Sequence, residues 1–84
     1  MSEQEEIREW LLKTLWLIAD HPDDVRIEAT TVEERTTFRI TANPRDVGKI
    51  IGRQGRTSQS LRVLTGAMGK KVSWRFIVEI EERD

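Results

Sequence analysis

The sequence predicts an α+β domain of element order α-β-β-α-α-β, in which a mixed three-stranded sheet has helices packed on one face. Three segments carry apolar residues at helical spacing, and three shorter segments alternate apolar and polar residues as strands do. A pair of glycines separates the second helical segment from the third. The length of 84 residues leaves room for one domain, residues 1–84, with a core at about residues 5–80.

Residues 5–19 are predicted to form the first helix, because apolar residues recur there every three or four positions. Ser2 or Gln4 caps its start, and Pro22 ends it, since the residue before a proline avoids the helical conformation. Further apolar residues lie off the first apolar face: Leu12, Trp16 and Leu17. The helix is therefore either buried on more than one side or carries a second contact surface.

Three strands are predicted from alternation, at residues 25–30, 36–41 and 72–80. The first two are joined by a turn at Glu33 and Glu34 and form an antiparallel hairpin. Two helices connect the second strand to the third, and a connection of that length allows the two strands to pair in parallel.

The second and third helices flank the glycine pair. Asn43 is a good cap and Pro44 a good first residue for the second helix. Its apolar face is formed by Val47, Ile50 and Ile51, opposite Arg45 and Lys49. The third helix is predicted at about residues 56–67, with Gly66 or Gly69 as its terminator. Its inward side chains are Leu61, Leu64 and Met68.

The formal net charge of −1 conceals a polarised distribution along the chain. Residues 45–71 contain seven basic residues and one acidic residue, whereas residues 1–24 contain seven acidic and two basic residues. A concentrated basic segment attracts polyanions even on a nearly neutral protein. A solvated charged face has the same composition, so charge alone leaves both interpretations open.

Composition excludes several classes of site. The chain has no cysteine and one histidine, which excludes disulfides, thiolate metal sites and sites with several histidines. We interpret that residue, His21, as a cap at the end of the first helix rather than a catalytic base or metal ligand. No apolar run approaches the ~20 residues of a membrane span, and residues 1–6 are acidic, unlike a targeting signal. We expect a cytoplasmic protein that is not an enzyme and uses no cofactor.

The segment Gly52-Arg53-Gln54-Gly55 is the most informative motif. Its spacing matches neither a Walker A loop nor a dinucleotide fingerprint, which follows a strand. Glycines at both ends of a tight turn between helices let a sugar–phosphate backbone approach the peptide closely. The following helix presents free N–H groups and a positive dipole end, and Arg53 and Arg56 add positive charge. The alternative is a helix connection that binds nothing.

Residues 50–56 resemble the signature of K-homology (KH) domains, and the element order resembles their bacterial, type II arrangement. Residues 15–25 and 46–52 resemble the small single-domain bacterial KH proteins of the KhpA family. The resemblance extends over about residues 5–80 and implies a type II KH fold that binds single-stranded RNA. KH domains clamp about four nucleotides through this loop.

The resemblance assigns roles to residues of this chain. The loop residues 52–55 would clamp the RNA backbone, with Ile50 and Ile51 in the groove. Together with the basic segment, the candidate RNA-binding residues are Lys49, Ile50, Ile51, Gly52, Arg53, Gln54, Gly55, Arg56, Arg62, Lys70 and Lys71. Many KH domains carry a large aliphatic residue three places after the second glycine, where this chain has Ser58, which leaves its base preference open.

The resemblance also implies a partner and a cellular role. Such proteins are similar to RNA chaperones or post-transcriptional regulators that form homodimers or pair with a larger KH protein. They are linked to cell length and envelope growth, that is, to cell shape and cell wall biogenesis. The alternative is a protein-interaction subunit that dimerises with or recruits another KH protein, with RNA binding secondary. The basic segment favours the first function, and the apolar first helix favours the second.

The three tryptophans bear on these alternatives. We expect Trp74 to be in the core with Phe76 and Val78 rather than to stack on a base. Trp10 and Trp16 are six positions apart and cannot share one helix face. One of them is expected in the core, and the other is a candidate anchor for a partner.

Overall fold

The computed structural model describes residues 2–82, and these form three α-helices and three strands in the predicted order. The helices are α1 (Glu3–Ile18), α2 (Pro44–Ile51) and α3 (Arg56–Val72), and the strands are β1 (Arg26–Val32), β2 (Arg35–Thr41) and β3 (Arg75–Ile80). Short 3-10 turns at Pro22–Asp24 and Arg53–Gly55 precede β1 and α3. The predicted α+β class is confirmed, while the predicted domain limits, residues 1 and 84, lie outside the described residues.

Local chemistry accounts for the start of α1. The hydroxyl of Ser2 accepts a hydrogen bond of 3.2 Å from the backbone N–H of Glu5, and three glutamates in the first turn face the positive end of the helix dipole. The buried face of α1 consists of Ile7, Leu11 and Leu15. Within residues 2–82, no helix combines the length and apolar character needed to cross a bilayer.

The sheet has β2 in its centre, antiparallel to β1 and parallel to β3, as the connections predict. Phe38 of β2 lies opposite Ala29 of β1 and Val78 of β3, so one row of side chains crosses all three strands. The rings of Phe38 and Phe76 stack with centroids 5.7 Å apart. The core lies between this face and the helices, and includes Leu11, Leu15, Ile27, Phe38, Ile40, Ile50, Leu61 and Val78.

The predicted end of the third helix is wrong. Helix α3 continues through Gly66 and Gly69 to Val72, and Ser73, in the left-handed conformation at φ 56°, terminates it. Gly69 has a packing role instead, because a Cβ there would collide with the carbonyl oxygen of Trp74. The third strand consequently begins at Arg75 rather than at residue 72.

Leu64, predicted to point inward, is 47% exposed. The buried residues of α3 are Ser58, Leu61, Thr65 and Gly69, and all of these except Leu61 are small. Thr65 is tolerated in the core because its hydroxyl donates to the carbonyl oxygen of Leu61 at 3.0 Å. Small residues let the helix lie close to the sheet, and Leu64 lies just off this face.

The three tryptophans differ in burial as the sequence predicts. Trp10 and Trp74 are half-buried against the core, whereas Trp16 is 46% exposed. The indole N–H of Trp74 donates to the hydroxyl of Thr36 at 3.0 Å, which fixes the ring across the start of β2.

Candidate nucleic-acid interface

The loop Gly52–Gly55 joins α2 to α3 through three residues with positive φ angles. Gly52, Gln54 and Gly55 have φ angles of 81°, 57° and 73°. Glycine adopts this conformation freely, whereas a side chain such as that of Gln54 makes it cost roughly 1–2 kcal/mol. The chain therefore reverses within four residues and leaves the loop backbone at the surface.

The two glycines are needed for different reasons. A Cβ on Gly52 would collide with the side chain and the backbone nitrogen of Thr57, because the start of α3 packs directly on the loop. At Gly55 the nearest atom to such a Cβ, the hydroxyl oxygen of Ser58, is 4.0 Å away, so only the positive φ favours glycine.

Ser58, in the first turn of α3, holds the loop from its buried side. Its side chain is buried, and its hydroxyl donates to the carbonyl oxygen of Gly55 at 3.1 Å. The backbone N–H of Gly55 in turn donates to the carbonyl oxygen of Gly52 at 3.0 Å. The serine that departs from the KH pattern thus has its hydroxyl satisfied by the loop instead of directed to a ligand.

Positive charge surrounds an uncapped helix start. No side chain caps α3, whose N-cap position is Gly55, so the first N–H groups of α3 have no side-chain acceptor. Arg53, Gln54 and Arg56 are exposed, and Arg56 donates to the side-chain oxygen of Gln54 at 2.8 Å. The N–H of Arg56 itself donates to the carbonyl oxygen of Arg53 within the turn, so the helix dipole and the guanidinium groups are the features that suit a phosphate.

The helix that leads into the loop is held by Asp46, a fully buried residue of α2. Its carboxylate accepts hydrogen bonds from the backbone N–H groups of Asp20 at 3.2 Å and His21 at 2.9 Å. Burial alone raises the pKa of Asp46, but these two hydrogen bonds and the adjacent His21 ring outweigh it and hold the pKa below its ordinary value. The N-terminal turn of α2 is thereby tied to the connection between α1 and β1.

The interpretation of His21 as a simple helix cap is wrong. His21 occupies the N-cap position of the turn Pro22–Asp24 but makes no side-chain capping bond there. Its ring nitrogen Nδ1 lies 3.1 Å from the carboxylate of Asp46. Sequence reasoning missed Asp46, although its position four residues before Ile50, on the buried face of α2, was a usable signal.

The other candidate residues differ in their placement. Lys49 pairs with Asp20 across the junction of α1 and α2, and the hydrogen bond to Asp20 raises the pKa of Lys49 despite partial burial. Ile50 is fully buried in the core, while Ile51 is half-buried next to the loop. The structure therefore brings Ile51 and residues 52–56 together at one surface, with Lys49 engaged beside it.

Three cations lie further along α3. The Nε of Arg62 donates to the carbonyl oxygen of Val78 at 3.2 Å, on the free edge of β3. Lys70 and Lys71 are in the last turn of α3, about 20 Å along the helix axis from Arg56. They do not adjoin the loop.

Comparison with known proteins gives a consistent match. The sequence-family model of the KhpA/KhpB KH domain matches residues 8–80 of this chain. The chain is similar to a Leifsonia xyli protein named RNA-binding protein KhpA, with 44% identity over 57 residues, or 66% of this chain and 75% of the relative. Proteins of the same name from Streptomyces coelicolor and Aquifex aeolicus are 40% and 34% identical, over 77% and 98% of this chain and 78% and 100% of their own lengths.

Proposed function

Because the chain belongs to the KhpA/KhpB family of KH domains, we propose that it binds single-stranded RNA through the loop Gly52–Gly55. The relatives bear the name RNA-binding protein. The observation that carries the proposal is the uncapped start of α3 behind a two-glycine turn with exposed arginines. A phosphate at the loop would lie at the positive end of the α3 dipole, beside Arg53.

The loop favours a single strand over a duplex for a steric reason. The surface that it offers is one turn of backbone, with Ile51 half-buried beside it. An unpaired strand can lay its phosphates against the glycines and turn its bases toward the apolar side of α2, whereas paired bases are already stacked and bonded to each other.

The direct test is a titration of the protein with a labelled RNA of about ten nucleotides, alone and annealed to its complement. We expect the single strand to bind more tightly than the duplex. Equal binding, a preference for the duplex, or no binding to either would contradict the proposal.

A second role, association with another copy of the chain, is favoured by an apolar groove between α1 and α3. A cavity of about 420 Å³ is lined there by Ile7, Trp10, Met68 and Val72, with Glu3, Glu6 and Lys71 at its rim. Helical spacing continues the groove, because Leu17 lies two turns after Trp10 and Leu64 one turn before Met68. Leu17 is 90% exposed, and exposed contiguous apolar surface usually marks a contact site.

We propose that this groove forms the contact of a homodimer, with a larger KH protein as the other occupant that the test can reveal. Sedimentation of the parent should show a concentration-dependent dimer, which the double variant Leu17→Glu/Leu64→Glu abolishes. Val32→Glu, an exposed apolar position on the hairpin, is the control and should leave the dimer intact. A monomeric parent at all concentrations would contradict the homodimer, and then co-purification of a KH protein lost in the double variant would identify the other occupant.

The finer cellular role that the family resemblance implies is part of the same proposal. We expect a non-enzymatic RNA chaperone or post-transcriptional regulator with a link to cell length and envelope growth. This rests on the resemblance alone. RNA recovered by crosslinking in cells should include transcripts for envelope growth, and recovery of no RNA would contradict the role.

A further inference from the structure

One side of α3 lies along the free edge of β3, beyond the loop. Gln59, Arg62, Gly66 and Lys70 recur at intervals of three or four residues and therefore share one side of α3. Arg62 reaches from this side to the carbonyl oxygen of Val78. Since β3 pairs with β2 on its other edge within the described sheet, this side of α3 faces the edge of β3 that has no neighbouring strand.

Toward the end of α3 this side borders a cavity of about 460 Å³, which we call the distal cavity. Its lining residues are Glu34, Gly66, Gly69, Lys70, Ser73, Trp74, Arg75, Phe76 and Ile77. Its volume is within the range of about 300–1,000 Å³ that is typical of small-ligand sites. Gly66 leaves its side of the cavity open, because no atom lies within 4 Å of the position its Cβ would occupy.

The chemistry of the distal cavity suits a nucleotide. Trp74 and Ile77 are half-buried and supply aromatic and apolar surface on which a base can pack, whereas Phe76 behind them belongs to the core. Lys70 and Arg75 are exposed at its rim, and within residues 2–82 neither side chain makes an ion pair. Glu34 is the single acidic lining residue, so the rim keeps an excess of one positive charge.

We propose that the distal cavity is a second nucleotide subsite for the same RNA strand that the loop holds, which deepens the proposed function and rests on it. Gly55 and Gly66 are eleven positions apart on α3, a distance of about 17 Å along the axis. The strand would leave the loop, pass Arg62 and place a further base beside Trp74, with its phosphate near Lys70 and Arg75. The bound strand is then longer than the about four nucleotides that a KH loop clamps.

The test compares the affinities of labelled oligouridines of four and ten nucleotides by fluorescence anisotropy. The dissociation constant of the tetranucleotide divided by that of the ten-nucleotide strand is here called the length ratio. A longer strand binds somewhat more tightly simply because it offers the loop more positions, and in the parent the length ratio should exceed that statistical value by about fivefold or more. Gly66→Gln, which places a side chain in the distal cavity, should remove that excess and leave the affinity for the tetranucleotide unchanged. Ala67→Gln, an exposed position one residue further on, is the matched control and should keep the parental ratio.

Lys70→Ala is an independent variant, and its second readout, the salt dependence of binding, is not expected to change through a folding defect alone. It should lower the length ratio and make the salt dependence for the ten-nucleotide strand shallower by about 0.7, the value for one lost phosphate contact on a single strand. Lys13→Ala, which removes an exposed cation of α1, should change neither.

An unchanged length ratio in both Gly66→Gln and Lys70→Ala would overturn the distal subsite while the tetranucleotide still binds. Failure of the proposed function gives a different result, because the parent would then bind neither oligonucleotide, or an acidic substitution in the loop would leave both affinities unchanged.

Discussion

Asp46 and His21 are joined by two contacts, a hydrogen bond of 2.9 Å from the backbone N–H of His21 to the carboxylate and a 3.1 Å contact from the ring nitrogen Nδ1. The pair connects the first turn of α2 to the segment that follows α1. Since α2 ends at the loop, the position of the loop relative to the rest of the domain depends on this buried carboxylate.

Asp46→Ala should therefore destabilise the fold. The substitution leaves the backbone N–H groups of Asp20 and His21 without their acceptor, so we expect the melting temperature to fall by roughly 5–15 °C. Asp23→Ala, at an exposed position in the turn Pro22–Asp24, is the comparison. Thermal denaturation followed by circular dichroism measures both, and an equal effect of the two substitutions would contradict the anchoring role of Asp46.

The lowered pKa of Asp46 predicts how this contribution depends on pH. A carboxyl whose pKa is lower in the folded state stabilises the fold above its ordinary pKa of 3.8, and this stabilisation is lost as pH falls through the folded value. The parent should therefore lose melting temperature more steeply between pH 5 and pH 2 than Asp46→Asn does. Parallel curves for the two proteins would show that another acid governs the loss.

The elements of this fold could be predicted where their signals are local. Ser2 and Asn43 cap their helices with their own side chains, the latter accepting from the N–H of Arg45 at 2.9 Å. The loop at Gly52 and Gly55 could also be predicted, because it depends on the steric freedom of glycine within four residues.

Features that depend on distant packing could not be predicted. Helix α3 ends at Ser73, whereas Gly69 is required for its close contact with Trp74, and no rule for glycine distinguishes that use from a helix terminator. The partners of Asp46 lie 25 and 26 residues away in the chain. The division of the cations between the loop and the distal cavity likewise follows from the length of α3.

Three glycine substitutions should rank in stability by the space and the φ angle at each position. Gly48→Ala, in open space within α2, should stabilise the fold by about 0.5–1 kcal/mol. Gly55→Ala should cost about 1–2 kcal/mol for its positive φ. Gly52→Ala should cost more, because the collision with Thr57 adds to the same backbone penalty. Urea denaturation measures the order, and a milder effect at Gly52 than at Gly55 would be inconsistent with this loop geometry.

Changing Arg53 and Gln54 both to Asp should abolish RNA binding and leave the fold intact. The change shifts the charge by three units beside the proposed phosphate path. Both side chains are exposed, and aspartate tolerates the left-handed conformation of Gln54 well, so we expect the stability to change by no more than about 0.5 kcal/mol.

The control for this variant is Lys13→Asp/Thr30→Asp, which makes the same change in charge at exposed positions of α1 and β1. It should bind RNA as the parent does. If the loop variant binds as tightly as this control, RNA does not bind at the loop, and the protein-interaction function becomes the better account of the chain.

The salt dependence of RNA binding should reveal how few phosphates the loop engages. The guanidinium groups of Arg53 and Arg56, together with the positive end of the α3 dipole, can neutralise about two or three phosphates, whereas Lys49 is already paired with Asp20. When a single strand about the length of the loop site is titrated, a plot of the logarithm of the association constant against the logarithm of the salt concentration should therefore have a slope of about −1.5 to −2. Titrations of a tetranucleotide at several salt concentrations measure the slope. A value near zero would mean that phosphates are not the principal contact, and a value steeper than about −5 would require cations that the loop does not possess.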